Sequence, residues 1–413
     1  MQTAYCKKNS IICYVELKEK KGKVSDDEAE AVVIGGMVLD INATPSIAAN
    51  PRTTTPGKVV YTLGGVGRNV GECMSKLGAK PFMISALGFD MAGSLLLENW
   101  RSAGLSVTGI RRSQDIDTAV VCNIFDGVGE LAAAVASVES IEEFLTAEWI
   151  QKFKSNICSA PVLMVDANLS PPALLSSCRL AAECKTSVWF EPVSVAKSKR
   201  VASVSKYITY TSPNEDELIA MANALSSEDK FSPIKIDSNN ANFSIEKLFR
   251  KLKPPTWILL EKGIRVVIIT LGAQGIFLCF KAINGVEKKD YTTNAPNSFS
   301  RKLYEAVNKS CPPNKILGSP KSKGNYYIAV HFPALSAAVV RLTGAGDCLV
   351  GGTIASICAG LDVMQSVAVG IAAAKGAVET EKNVPEGYGL ARIADDASIV
   401  YSEAKVVFCE SKL

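Results

Sequence analysis

An α/β fold with a central, mostly parallel sheet and helices on both faces is what this chain predicts, and three observations predict it. Short β-branched apolar runs recur along the sequence. Amphipathic segments of helical period separate several of them. Two extended polar–apolar stretches break the rhythm and predict a small β lid beside the main sheet.

The elements follow in chain order. Residues 1–30 read as a tail, because Lys18 to Glu30 is densely charged and unpatterned. The opening MQTAYCKKNSIICYVEL has no long apolar segment with a small-residue cleavage site, so it does not read as a signal peptide. The fold begins at Ala31–Gly36 (AVVIGG), a buried strand ending in glycines. Further strands are predicted at Pro81–Leu87, Val162–Asp166, Ser187–Phe190, Tyr207–Thr211 and Val266–Leu271. Helical patterns lie at Asn69–Leu77, Gly93–Ser102, Pro172–Cys184 and Glu215–Leu225. Right-handed crossovers between parallel strands place such helices on both faces of the sheet. The lid is expected from about 41–63 and 118–130. Residues 280–326, rich in Asn, Ser, Lys and Pro, read as a surface insertion, and 401–413 as a C-terminal tail.

Composition excludes several classes. The chain has 413 residues, 47% of them hydrophobic and 21% charged, which suits a large packed core. A net charge of +4 with scattered Lys and Arg leaves no nucleic-acid footprint. No apolar run suggests a membrane span. The single His331 removes His-centred triads and most His-based zinc sites, and the 12 Cys form no CxxC pair. They read as reduced core residues.

Four motifs carry chemistry. In LTGAGDCLVGG, the small residues Gly344, Ala345 and Gly346 precede Asp347 and an apolar helix. Backbone N–H groups at such a helix start can hold an anion, and Asp347 can accept a proton from an attacking hydroxyl. A plain N-cap explains the segment equally well when it is taken alone. In LGGVGRNVGE, Gly64, Gly65 and Gly67 form a tight turn and Asn69 opens a helix. The turn is no P-loop and only approximates a dinucleotide fingerprint. In SPNEDEL, Asn214 and Glu217 share the first helical turn, where an amide and a carboxylate can hold hydrated Mg²⁺ or simply cap the helix. In IITLGAQGIFL, Thr270, Gly272 and Gly275 frame a turn that suits a nucleotide or a hairpin.

Taken in this order, the four motifs resemble those of the ribokinase-like (PfkB) carbohydrate kinases, from about residue 31 to about residue 400. The resemblance implies one α/β domain with a β lid and ATP-dependent phosphoryl transfer to an alcohol. By position it makes Asp347 the base and Gly344, Ala345 and Gly346 the anion hole. Asp40, Gly65, Asn69 and Asn168 become ligands of the substrate hydroxyls, with Thr118 near the base of a nucleoside. Asn214, Thr270, Gly272 and Gly275 fall on the ATP side, with Glu217 and Asn214 near Mg²⁺. Arg341 stands six residues before Asp347, where the family has an Asp that helps bind a monovalent cation, which puts that cation in question.

Within the family, VCNIFDGVGELAAAVASVE, VDANLSPPAL, WFEPVSVAKSKR and TSPNEDELIAMANAL resemble the pseudouridine kinases of plant type. The implied reaction forms pseudouridine 5′-phosphate from a small-molecule nucleoside. Other acceptors (ribose, fructose, adenosine) remain as alternatives, as do a fold kept only for binding and, less well supported, a dinucleotide-dependent oxidoreductase. A homodimer is left open. The final Ser411-Lys412-Leu413 matches the tripeptide read by the peroxisomal import receptor, so the expected location is the peroxisome, with the cytoplasm as alternative.

Overall fold

The computed structural model describes residues 31–48, 52–126, 131–226, 230–234, 244–283, 300–313 and 325–412. The N-terminal tail expected over residues 1–30 lies outside them.

Two sheets organise the chain. The large sheet has ten strands. Its parallel block comprises β1 (Val32–Ile34), β4 (Phe82–Gly88), β5 (Ile110–Ser113), β8 (Val162–Asp166), β9 (Ser187–Glu191), β10 (Tyr210–Thr211) and β11 (Val266–Thr270). Three antiparallel strands extend one side: β12 (Ile276–Ile283), β13 (Asn325–Phe332) and β14 (Lys405–Lys412). The spatial order is β14-β13-β12-β11-β10-β9-β8-β1-β4-β5.

The central strands are apolar at almost every position, as strands buried on both faces must be. Alternation nevertheless sorts their side chains between two cores. Val33, Met83, Met164, Trp189 and Ile268 enter one, and Val32, Ile84, Val165, Phe190 and Ile269 the other. The first core is closed by α1 (Val66–Lys76), α2 (Met91–Ser102), α10 (Arg301–Ser310), α11 (Ala345–Cys358), α12 (Val363–Val378) and α13 (Leu390–Glu403). The second is closed by α3 (Glu139–Phe144), α4 (Ala147–Gln151), α5 (Lys154–Ser159), α6 (Pro171–Cys184), α8 (Glu215–Leu225) and α9 (Ile245–Glu261). The short α7 (Val195–Ser198) follows β9.

The lid is a second sheet ordered β3-β2-β6-β7, with β2 (Val38–Pro45), β3 (Gly57–Gly64), β6 (Val120–Phe125) and β7 (Leu131–Ser137). It reaches further than the stretches read from sequence, because β7 pairs with β6 through Ser137. Poly-alanine character hid that strand from a reading based on β-branched residues.

Three other expectations change. The segment read as a surface insertion over 280–326 contributes structure: α10 buries Leu303 and Val307, and β13 sits inside the sheet. Residues 284–299 and 314–324 lie outside the described set. The C-terminal residues do not project as a tail, because β14 pairs with β13 through Lys412. An open strand edge attracts a partner, and Phe408 packs on Phe249 and Trp257 at centroid distances of 5.7 and 5.4 Å. Finally, Cys158 and Cys184 are joined in a disulfide, so not every cysteine is reduced; the other described cysteines form no disulfide.

Candidate active site

Parallel strands deliver polar residues at their C-terminal ends, where an α/β sheet leaves room for ligands. Asp166 closes β8, Glu191 closes β9, Ser212 follows β10 and Thr270 closes β11. The two glycine-rich helix starts face this edge. Gly65 precedes α1 with φ 93°, and a Cβ there would lie 2.4 Å from the Gly36 carbonyl oxygen. Gly344 precedes α11 with φ 88°, and a Cβ there would lie 2.1 Å from the Asn383 carbonyl oxygen. Both positions therefore need the left-handed backbone and the missing side chain of glycine.

The two helices meet through their first turns. Asn69 Nδ2 donates to Asp347 Oδ2 at 2.6 Å, across 278 residues of chain. Asn69 Oδ1 accepts from Arg68, whose guanidinium also donates to the carbonyls of Gly64 (3.0 Å) and Leu63 (2.7 Å) and pairs with Glu72. Arg68 is thus a buried keystone of the glycine turn. Burial pushes the Asp347 carboxyl up to about 7, while the Asn69 amide and the Arg68 charge work against the rise and the Asp166 and Asp40 charges add to it. A base with this affinity is well matched to proton abstraction near neutral pH. At the start of α11, Cys348 N–H is bonded back to the Gly344 carbonyl. The Gly346 and Asp347 N–H groups, like those of any first helical turn, have no intrahelical acceptor.

At the lid, Asp40 of β2 accepts from Asn383 Nδ2 at 3.3 Å, and Asn383 also reaches the Leu63 carbonyl at 3.1 Å. Burial raises the Asp40 carboxyl, and Asn383, Arg341 and Arg68 oppose that rise. Asn168 donates its N–H to Asp166 Oδ1 at 3.0 Å and accepts from Lys197 Nζ at 2.6 Å. Asp166 also accepts from Gly36 N–H at 2.9 Å. A cleft of about 740 Å³ opens beside Asp40, between the lid residues Asn42 and Thr62 and the body residues Arg68, Arg341 and Asn383.

The region after β10 and β11 is built differently. Asn214 and Glu217 form a reciprocal capping box at the start of α8, with bonds of 3.0 and 2.9 Å. Asn214 also bridges to Thr270, whose N–H donates to the Pro213 carbonyl at 2.9 Å. Gly272 and Gly275 shape the turn from β11 into β12, where Leu271 N–H donates to the Gly275 carbonyl. Glu191 lies between the halves. It accepts from Ser212, which in turn accepts from Trp189 Nε1 at 3.1 Å. Burial holds its carboxyl well above the usual range; the Ser212 bond opposes this, and the Glu217 and Asp347 charges add to it. Among the described residues no three His, Cys, Asp or Glu side chains form a direct metal cage. The donors present are hard oxygens around Glu217 and Asn214, and these fit Mg²⁺ held through water.

Most of the residues singled out from sequence are brought to this edge of the sheet. Thr118 is not. It is buried below the β4–α2 turn, where its hydroxyl accepts from Gly88 N–H (2.8 Å) and its N–H donates to Asp90 (2.7 Å). Asn69 meets Asp347 and Arg68 instead of open space. Sequence reading missed Arg68, Asp166, Glu191, Lys197 and Asn383. The first four sit within or next to quoted motifs, so adjacency could have flagged them, whereas Asn383 carries no local signal.

Comparison with known proteins agrees with the geometry. Residues 28–307 match the model of the pfkB family carbohydrate kinases. The chain is 50% identical over 386 residues to a pseudouridine kinase of Arabidopsis thaliana, spanning 93% of this chain and 100% of that one. It is 30% identical over 186 residues to a pseudouridine kinase of Escherichia coli strain K12, spanning 45% and 58% of the two chains. The fold matches an Arabidopsis thaliana ribokinase complexed with ribose and ATP at TM-score 0.65 and 15% identity, covering 90% of this chain and 99% of that one. A putative sugar kinase from Clostridium perfringens matches with the same TM-score of 0.65 at 20% identity, covering 94% and 99%. With that family model matching residues 28–307 and a relative half identical over 93% of the chain, the chain belongs to the pfkB family of carbohydrate kinases, enzymes that transfer a phosphoryl group to an alcohol.

Proposed function

We propose that this enzyme transfers the γ-phosphoryl group of ATP to the 5′-hydroxyl of pseudouridine, giving pseudouridine 5′-phosphate and ADP. The observation that carries the substrate assignment is the 50% identity to the Arabidopsis pseudouridine kinase over that protein's whole length. The chemistry rests on Asp347. Its carboxylate takes the proton of the 5′-hydroxyl as the oxygen attacks, with Asn69 holding the carboxylate in place. The Gly346 and Asp347 N–H groups donate to the phosphoryl oxygens in the transition state. Glu217 and Asn214 would hold Mg²⁺ through water, and the ion would neutralise charge on the phosphates. Asp40 binds substrate hydroxyls at the lid hinge.

A substrate panel tests the assignment. Pseudouridine should show the highest kcat/KM, with uridine, ribose, fructose and adenosine far below it. A higher value for ribose or adenosine would discard the pseudouridine reading and leave the kinase intact.

Two further readings belong here. The outer face of the lid exposes Val59, Tyr61, Ile124 and Val135, all on one side of the sheet, which supports a homodimer formed through the lid. A mass from light scattering equal to one chain would reject it. For localisation, Ser411-Lys412-Leu413 addresses a protein to peroxisomes when it stands at a free C-terminus. Ser411 and Lys412 pair with Tyr326 and Asn325 of β13, so receptor capture requires the end of β14 to peel away. A fluorescent protein fused at the N-terminus should enter peroxisomes, and deletion of Leu413 should abolish entry; a diffuse signal from the intact fusion would refute the address.

A further inference from the structure

Arg341 stands six residues before Asp347, at the position to which the family resemblance assigns a cation-binding Asp, and its surroundings define what the guanidinium does there. The N–H groups of Val340 and Arg341 both donate to the Val378 carbonyl, at 2.7 and 3.2 Å. This straps the segment leading into the anion hole to the end of α12. Arg341 Nη1 then donates to the Glu381 carbonyl at 3.2 Å. Two residues on, the Asn383 carbonyl abuts Gly344 and accepts from Cys348 Sγ at 3.6 Å, while the Asn383 side chain holds Asp40. The loop 378–384 therefore touches both the anion-hole turn and the substrate-side carboxylate, and Arg341 places a fixed positive charge between them.

The residues at this position do not fit a monovalent cation. A cation needs carboxylate or carbonyl ligands. Here it would meet a guanidinium, and the Glu381 carbonyl already accepts from that guanidinium. A cation placed there would be repelled by the like charge of the guanidinium. One acceptor in the same loop, Asn383 Oδ1, is buried without a hydrogen-bond donor; an ion on that oxygen is the rival explanation and is one outcome of the test.

We propose that Arg341 takes over the task a monovalent cation performs in relatives: it ties the 378–384 loop to the anion-hole turn and supplies the positive charge there, so that turnover does not depend on K⁺. Arg341 is a positioning residue in this account, since it acts through the turn that carries Asp347. The inference rests on the phosphoryl-transfer reading, and its test includes an arm that needs no substrate.

The full-length chain is assayed with ATP and pseudouridine in KCl, NH₄Cl and tetramethylammonium chloride at equal ionic strength. The expected kcat differs by less than about threefold among the salts, and a larger activation by K⁺ or NH₄⁺ overturns the proposal. Arg341→Ala should lose about 10- to 100-fold in kcat with a smaller change in the KM for ATP, and millimolar guanidinium chloride should restore part of it. Full kcat for this variant in tetramethylammonium chloride would also overturn the proposal. Arg341→Asp should become K⁺-activated, and Arg341→Lys, which keeps the charge, should stay insensitive to K⁺. The substrate-free arm is thermal unfolding in KCl against tetramethylammonium chloride. The wild type should melt at the same temperature in both, whereas Arg341→Asp should melt higher in KCl, as ion binding to the native state requires. A K⁺-specific rise in the wild type would place an ion on Asn383 Oδ1 and overturn the proposal, whichever acceptor the enzyme uses.

Discussion

The two halves of the active site are held together in opposite ways. On the acceptor side, the contacts are between side chains far apart in sequence: Asn69 to Asp347 across 278 residues, and Asn383 to Asp40 across 343. On the nucleotide side, the contacts are short-range: the Asn214–Glu217 box spans three residues, and the β11–β12 turn closes on itself through Leu271 and Gly275. The first half couples chemistry to tertiary closure. The second is a set of local turns that would form wherever the strand ends are present. Substitutions on the acceptor side should therefore disturb catalysis, whereas those on the nucleotide side should register as local stability and ATP affinity.

The sharpest break in that comparison is Asp347→Asn. It should lower kcat by about 10²–10⁴ while leaving ATP binding, measured by calorimetry, close to wild type. Retention of more than roughly a tenth of wild-type kcat would remove Asp347 from the role of base. The variant also separates activity from stability. A carboxyl raised from 3.8 to about 7 in the fold favours its protonated form there. Its contribution to stability is therefore greatest at low pH and is lost as pH climbs from about 4 to about 7. At pH 8 the neutral Asn should unfold no lower than wild type and up to a few degrees higher, by scanning calorimetry. In the wild type, the same titration should make kcat/KM for the nucleoside rise with pH through a limb near 7.

Asn69→Ala comes next, with a loss of about tenfold or more in kcat/KM for the nucleoside and a smaller change in the KM for ATP. Removing the Asn69 amide removes a bond that stabilises the ionised Asp347, so the acidic limb of the pH profile should move to higher pH. An unmoved limb, or equal effects on both substrates, would make Asn69 a purely structural residue. Asn214→Ala should do the converse: about 1 kcal/mol of stability lost with the cap, and a several-fold rise in the KM for ATP with little change for the nucleoside. Smallest of all, Thr118→Ala should leave both KM values within error and lower the unfolding midpoint slightly, because its hydroxyl serves the β4–α2 turn. A marked rise in nucleoside KM would bring Thr118 back into the substrate site.

Legibility in the sequence followed the same division. The strand at Val162–Asp166 and the helix at Glu215–Leu225 match the structure residue for residue, because apolar runs and a capped periodic segment are local signals. The capping box and the glycine turns were legible for the same reason. The lid strand β7 was not, since its run of alanines has little intrinsic strand preference and is extended only because β6 lies beside it. The end of the chain was misread in the same way: Lys405–Lys412 forms a strand because β13 offers an open edge and Phe249 and Trp257 offer a surface for Phe408.

By itself, then, the amino-acid sequence determined the α/β class, the parallel core, the position of the helix that carries Asp347 and the membership of a kinase family. All of these depend on periodicity and on motifs whose geometry is local. Only the tertiary structure decided which partners those motifs meet: that Asn69 faces Asp347, that Asn383 reaches Asp40, that Thr118 turns into the core and that Arg341 bridges to the Glu381 carbonyl. The reason is physical. Such contacts join residues 30 to 343 positions apart, and their geometry is set by how the helices and loops pack on the strands.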